Sequence, residues 1–144
     1  MKILVIHGPN LNLLGARKPE VYGSKSIQEI NKYIKHYFKT VDVEFFQSNH
    51  EGEIVTKIHE AANLYNGIAL NAAALTHYSI AVHDAIEAVS IPVAEVHISN
   101  TAAREEFRHK SVISSVALGT ISGFGVYSYI LAIQGLAHHL KRNE

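Results

Sequence analysis

The chain has 144 residues, 47% of them apolar and 18% charged, with 13 basic and 13 acidic side chains. This describes one globular domain, residues 1–144, and a formal charge of zero gives no basis for binding nucleic acid or an anionic membrane. No cysteine is present, which excludes disulfides, thiolate catalysis and cysteine-ligated zinc.

The first run, KILVI (2–6), is short, continuous and apolar, as expected of a strand covered on both faces. It is too short for a signal peptide, so the expected location is the cytoplasm. The loop HGPNLNLLGARKPEVYG (7–23) follows. Ser26 and Glu29 have capping-box spacing, and Ile27, Ile30, Ile34, Tyr37 and Phe38 then repeat at helical spacing. VEFFQS (43–48) reads as the second strand, and Ile54, Ile58, Ala61 and Ala62 mark the next helix. GIALN (67–71) is the third strand, and Val82, Ala85, Ile86 and Val89 mark the helix after it. Pro92 precedes the fourth strand, VAEVH, and a short polar helix is expected over 102–109. VALGTI (116–121) is the fifth strand. Tyr129, Ile130, Ile133, Leu136, Ala137 and Leu140 stripe the last helix, with Lys141 and Arg142 suiting its C-terminal end. Residues 111–137 carry no Asp, Glu, Lys or Arg, a length that could span a bilayer. Gly119, Gly123 and Gly125, with Ser122 among them, break that run, so it reads as a strand, a glycine turn and a core-facing helix.

Strands and helices alternate throughout. Short connections and right-handed crossovers then give an α/β fold: a flavodoxin-like, doubly wound, five-stranded parallel sheet of order 2-1-3-4-5 with helices on both faces. Ligands of such sheets bind beyond the carboxyl ends of the strands, where the order reverses. The loops after strands 1, 3 and 4 supply Asn10, Asn12, Arg17, Tyr22, Asn71, His77, His97, Ser99, Asn100, Arg104 and Arg108. Three of the four arginines are in this set, although lysines number nine. Arginine suits fixed recognition of planar anions, which points to a small anionic substrate bearing several oxygens.

Glu95 and His97 lie two apart on a strand and share a face. A carboxylate beside an imidazole orients it and favours its protonated form, as a general acid requires, though a buried polar pair that merely satisfies itself has the same spacing. The backbone of Ile98 and Ser99 leaves the sheet, and free N–H groups at such a place bind carboxylate or phosphate. Arg104 and Arg108, four apart, would share one helical face over the pocket, or form an ion-pair surface with Glu105 and Glu106. Tyr22 closes the first loop, as a base or as a packing aromatic. A tyrosine ionises near pH 10; to act as a base at neutral pH it needs roughly 3–4 kcal/mol of help, for which Arg17 and Arg104 are candidates. Asn10 and Asn71 end strands 1 and 3 and would also serve as turn residues.

PNLNLLG followed by RKPEVYG, then NAAALTHYS, then EVHISN followed by REEFRH, resemble the type II 3-dehydroquinate dehydratases from residue 3 to about residue 135. The resemblance implies a flavodoxin-like fold and reversible dehydration of 3-dehydroquinate to 3-dehydroshikimate through an enolate, with no metal or cofactor. It implies that Tyr22 removes the C2 proton, that Arg17 on the same mobile lid and Arg104 assist it, and that Asn10 holds a water against the enolate. His97, held by Glu95, would protonate the departing C1 hydroxyl. The Ile98 and Ser99 amides with the Ser99 hydroxyl would hold the carboxylate, and Asn71, His77 and Arg108 would bind the ring hydroxyls and carboxylate region. Asp84 would reach a neighbouring subunit's site in a homododecamer built as a tetramer of trimers. The chain departs from the family's pattern at Ala72-Ala73, where Pro-Gly is frequent, at His83, where Arg is common, and at Lys18, where an acidic or amide residue is frequent.

The other readings fit less well. A phosphoacceptor domain of this sheet order needs acidic residues after strand 1 and an aspartate ending strand 3, where His7-Gly8-Pro9-Asn10 and Asn71 stand. PNLNLLG is not a hydroxyl- and glycine-rich flavin phosphate loop, and no histidine pair has the spacing of a zinc helix. A binding-only descendant would have lost Tyr22 or His97, and both are present.

Overall fold

A computed structural model describes residues 1–143. The strands are β1 (Lys2–His7), β2 (Asp42–Gln47), β3 (Gly67–Asn71), β4 (Val93–His97) and β5 (Gly119–Ser122). The helices are α1 (Pro19–Tyr22), α2 (Ile27–Tyr37), α3 (Glu51–Ala61), α4 (Ile80–Ala88) and α5 (Tyr127–Arg142). Every strand pair is parallel and the order is β2-β1-β3-β4-β5, as the alternating pattern predicts.

Alternation along β1 shows how the layers form. Ile3 and Val5 face a cluster with Ile27, Ile30 and Ile34 of α2 and Tyr129, Ile130 and Ile133 of α5. Leu4 and Ile6 face the opposite cluster, with Ile54 and Ile58 of α3 and Val82 and Ile86 of α4. Burying one such side chain contributes about 1.5–3 kcal/mol, so both faces of β1 drive the fold. The α2 capping box forms: Ser26 Oγ accepts from the Glu29 amide and Glu29 accepts from the Ser26 amide.

Four expectations change. No continuous helix covers 102–109; 3₁₀ turns at Thr101–Ala103 and Glu106–Arg108 flank Arg104, which is extended at φ −105°, ψ −166°. Helix propensity loses there because the His109 ring bonds the Arg104 carbonyl and the Arg104 side chain turns to Tyr22. The fifth strand, expected over 116–121, begins only at Gly119 and ends at Ser122; Val116 closes a 3₁₀ turn over Ser114–Val116, where Ser114 is drawn back to Glu95. Tyr37 is 42% exposed rather than in the core, its ring edge-on to that of Tyr127. The loop after β1 contains a short helix, α1, that its composition did not announce.

Two backbone features shape the ends of β1 and β3. A Cβ on Gly8 would stand 2.7 Å from the Ala72 carbonyl, and the Gly8 amide donates to the Asn71 carbonyl at 2.7 Å, so the two loops are joined where only glycine fits. Ala73 sits at φ 52°, in the left-handed region that glycine occupies without cost. Replacing Ala73 by Gly is therefore expected to stabilise the fold. Relief of about 1–2 kcal/mol of strain exceeds the chain-entropy penalty of about 0.4–1 kcal/mol. Thermal denaturation should show Tm rising by about 1–4 °C; a lower Tm would mean that this backbone is unstrained.

Candidate active site

The loops after β1, β3 and β4 border one cavity of about 80 Å³ that opens to solvent. Asn10, Arg17, Tyr22, Asn71, His77, His97, Ile98, Ser99, Arg104 and Arg108 all line it. Outside it lie Asn12, Asn100, whose Oδ1 accepts from the Ala102 amide, Glu95, which stands behind His97, and Asp84, which lies on the exposed face of α4.

Tyr22 is held between two guanidinium groups. Arg104 Nη1 donates to the phenolic oxygen at 2.7 Å, and the Arg17 and Arg104 Cζ atoms lie 5.3 and 5.2 Å from the ring centroid. Arg104 also reaches Ser99 Oγ at 3.3 Å, tying the Tyr22 segment to the end of β4. That segment leaves and rejoins the body at nearly one point. Gly15, at φ 93°, has space around its Cα bounded by the backbone of Ser24 to Ser26, so residues 15–24 form a compact loop with touching ends.

Opposite Tyr22, His97 Nε2 lies 2.6 Å from Glu95 Oε1, with the two residues 7% and 1% exposed. The other Glu95 oxygen accepts from Ser111 at 3.1 Å, from Thr120 at 3.2 Å, and from Ser114. Burial alone pushes the Glu95 carboxyl up, but the bonds from His97, Ser114 and Ser111, with the charge of His97, outweigh it and hold the carboxyl below its ordinary 4.5. The carboxylate therefore fixes a proton on His97 Nε2 and leaves Nδ1 as the free ring nitrogen.

Beyond His97, the carbonyls of Ile98 and Ser99 are satisfied by the Gly125 amide at 3.0 Å and Ser122 Oγ at 2.9 Å. Neither residue's amide donates to any group among the described residues, so two consecutive N–H groups are left at the cavity. His77 is anchored through Nδ1 to the Lys110 carbonyl at 2.7 Å. Arg108 is bound to Glu105 at 2.5 Å, the ion pair that its spacing allowed, and still lines the cavity. Asn10 takes φ 68°, with its amide on Asn49 Oδ1 at 2.9 Å. His83, Asp84 and Glu87 gather ligand-type atoms within 4.8 Å of one another, but outside the cavity.

The family model for class II dehydroquinase matches residues 1–137. The chain belongs to the class II dehydroquinase family. A 3-dehydroquinate dehydratase of Clostridium botulinum (strain Kyoto / Type A2) is 53% identical over 144 residues, covering 99% of this chain and 98% of its own length. One from Acaryochloris marina is 52% identical over 141 residues, covering 96% and 95%. The crystal structure of the type II dehydroquinase from Butyrivibrio crossotus superposes with a TM-score of 0.93 at 50% identity, covering 95% of this chain and 97% of that one. A 3-dehydroquinate dehydratase-like protein from Bifidobacterium longum is more distant, with a TM-score of 0.74 at 34% identity, covering 98% of each chain. In this class II dehydroquinase chain Ala72-Ala73 stands where Pro-Gly was expected, and the Ala73 backbone is left-handed, as glycine would favour. Lys18 likewise takes φ 38°, a region where Asn and Asp are more at ease than Lys.

Sequence reasoning missed Ser111, Ser114 and Thr120, the hydroxyls that hold Glu95. Their one local sign was a run of hydroxyl residues in a stretch without Asp, Glu, Lys or Arg.

Proposed function

We propose that the chain catalyses the reversible dehydration of 3-dehydroquinate to 3-dehydroshikimate within a single catalytic domain, residues 1–144. The observation that carries this is that Tyr22, bonded to Arg104, and His97, bonded to Glu95, line one cavity. An elimination of this kind needs a base at one carbon and an acid at the next, delivered by different loops.

Tyr22, as phenolate, takes the C2 proton beside the ketone. Positive charge beside a phenolic oxygen favours the ionised form that a base needs. Arg104, in direct contact with the oxygen, is the main source, and Arg17 adds to it. The enolate that forms is met by a water held at Asn10, and stabilising charge as it develops lowers the barrier. His97 gives its Nδ1 proton to the C1 hydroxyl, which departs as water, while Glu95 holds the imidazolium in place. The free amides of Ile98 and Ser99, with the Ser99 hydroxyl, seat the substrate carboxylate. Asn71, His77 and Arg108 contact the ring hydroxyls and the carboxylate side.

No cofactor is called for, since the leaving group is activated by a proton and the carbanion by its neighbouring ketone. Exposed Asp84 fits a contact with the site of a neighbouring subunit in a homododecamer built as a tetramer of trimers. No helix among the described residues is long and apolar enough to cross a membrane, which is compatible with cytoplasmic work in aromatic biosynthesis or quinate breakdown.

The test is direct. Purified protein mixed with 3-dehydroquinate is expected to generate the ultraviolet absorbance of a conjugated enone, without added metal and in the presence of chelator. Failure to form the enone would remove the proposed activity.

A further inference from the structure

Under the cavity floor, a run of hydrogen bonds crosses two strands and two helices. Asn71, ending β3, and His7, ending β1, are register partners, so their side chains leave the same face of the sheet. Asn71 Nδ2 lies 2.9 Å from Tyr129 Oη on α5, Tyr129 Oη lies 2.9 Å from His7 Nδ1, and His7 Nε2 lies 2.9 Å from Asn31 Oδ1 on α2. At the near end, Asn71 Oδ1 is 3.1 Å from the Ala73 amide. His7, Asn71 and Tyr129 are all buried.

Each side chain in this run could take either role. An asparagine can turn over, a hydroxyl can rotate, and an imidazole can carry its proton on either nitrogen. The Ala73 amide has no such choice, because a backbone N–H only donates. Asn71 must therefore present Oδ1 to it, which sends Nδ2 toward Tyr129. The phenolic oxygen then accepts from Asn71 and turns its own proton to His7 Nδ1. His7 is left with its proton on Nε2, given to Asn31. Burial pushes His7 down to about 4, so near neutral pH it has a single ring proton to place.

Asn71 thus has Oδ1 turned to the Ala73 amide and one N–H committed to Tyr129, and one N–H left for the cavity it lines. We propose that His7, Tyr129 and Asn31 are positioning residues that fix Asn71 as a donor. It then presents its free N–H to a substrate oxygen that accepts. This rests on Asn71 being a substrate contact, as argued above.

Two measurements decide it. Long-range proton–nitrogen correlation spectra of the wild-type protein near pH 7, with His7 assigned by its loss in His7→Gln, are expected to show the neutral Nε2–H tautomer. Asn71→Asp, which accepts from both neighbours, is expected to move the His7 proton to Nδ1 or to charge the ring. An Nδ1–H ring in the wild type, or no change in the variant, would overturn the proposed direction. Separately, Tyr129→Phe leaves the Asn71 amide without its acceptor and is expected to raise KM for 3-dehydroquinate about tenfold, the weight of one lost hydrogen bond, with kcat within about threefold. An unchanged KM in the folded variant would overturn the positioning role. The spectra need no substrate, so a protein inactive toward 3-dehydroquinate would sink the proposed function while the proton direction is still judged.

Discussion

Replacing Tyr22 by Phe is expected to lower kcat for 3-dehydroquinate by about 10²–10⁴, the range in which a positioned proton-transfer group contributes. The substitution removes one oxygen. The ring itself stays, and with it the packing against the core beside α2 and α5 and the placement between Arg17 and Arg104. Stability should therefore shift little, while Arg104 loses the partner it holds at 2.7 Å. His97→Ala is expected to cost a similar factor for the opposite half of the elimination, because hydroxide without a proton is a poor leaving group. Steady-state kinetics on protein with unchanged circular dichroism settles each. Turnover near that of the wild type in either variant would remove that residue from the chemistry.

Glu95→Gln is expected to destabilise the fold by about 3–5 kcal/mol and to reduce turnover at the same time. The carboxylate is 1% exposed and acts only as an acceptor: one oxygen takes the His97 N–H, the other the hydroxyls of Ser111, Ser114 and Thr120. An amide of the same volume must turn its NH₂ toward one of these donor sets. Linkage gives the pH dependence. The Glu95 carboxyl titrates below its ordinary 4.5 in the folded protein, so its contribution is present above pH 4.5 and is lost as pH falls through the depressed value. Denaturant titrations should thus show wild type and variant furthest apart near pH 7 and converging below pH 4.5. A gap that stays constant down to the acid limit would mean that ionised Glu95 does not stabilise the fold.

The layers of this molecule were readable because each strand and helix carries its own periodicity. The continuous apolar run of KILVI, which marks a strand covered on both faces, and the Ile27-Ile30-Ile34 stripe name the faces that meet. The site was readable where chemistry-bearing residues fall directly at strand ends, as with Asn71 and His97, both the last residues of their strands. Reasoning failed over 102–109, where alanines, glutamates and arginines favour a helix locally. There a tertiary bond from Arg104 to Tyr22, 82 positions away, decides the backbone. The hydroxyl shell of Glu95 was hidden for a related reason. Ser111, Ser114 and Thr120 look like turn residues until the sheet brings them beside a carboxylate that precedes them by 16 to 25 positions. His7 was taken as part of a loop, although it is the last residue of β1 and fully buried.

The crossing of Gly8 against Ala72 fixes the base of the pocket, over which the loop closed at Gly15 would act as a cover in the proposed reaction. Asn71 belongs to the base, whereas Arg17 and Tyr22 ride on the loop closed at Gly15. A compound resting only on the base meets the same contacts whichever way the cover stands, and equal affinity for two states shifts neither. One that also engages Tyr22 and Arg17 gains only when the cover is down, so the two kinds of inhibitor would differ in residence time as well as in strength.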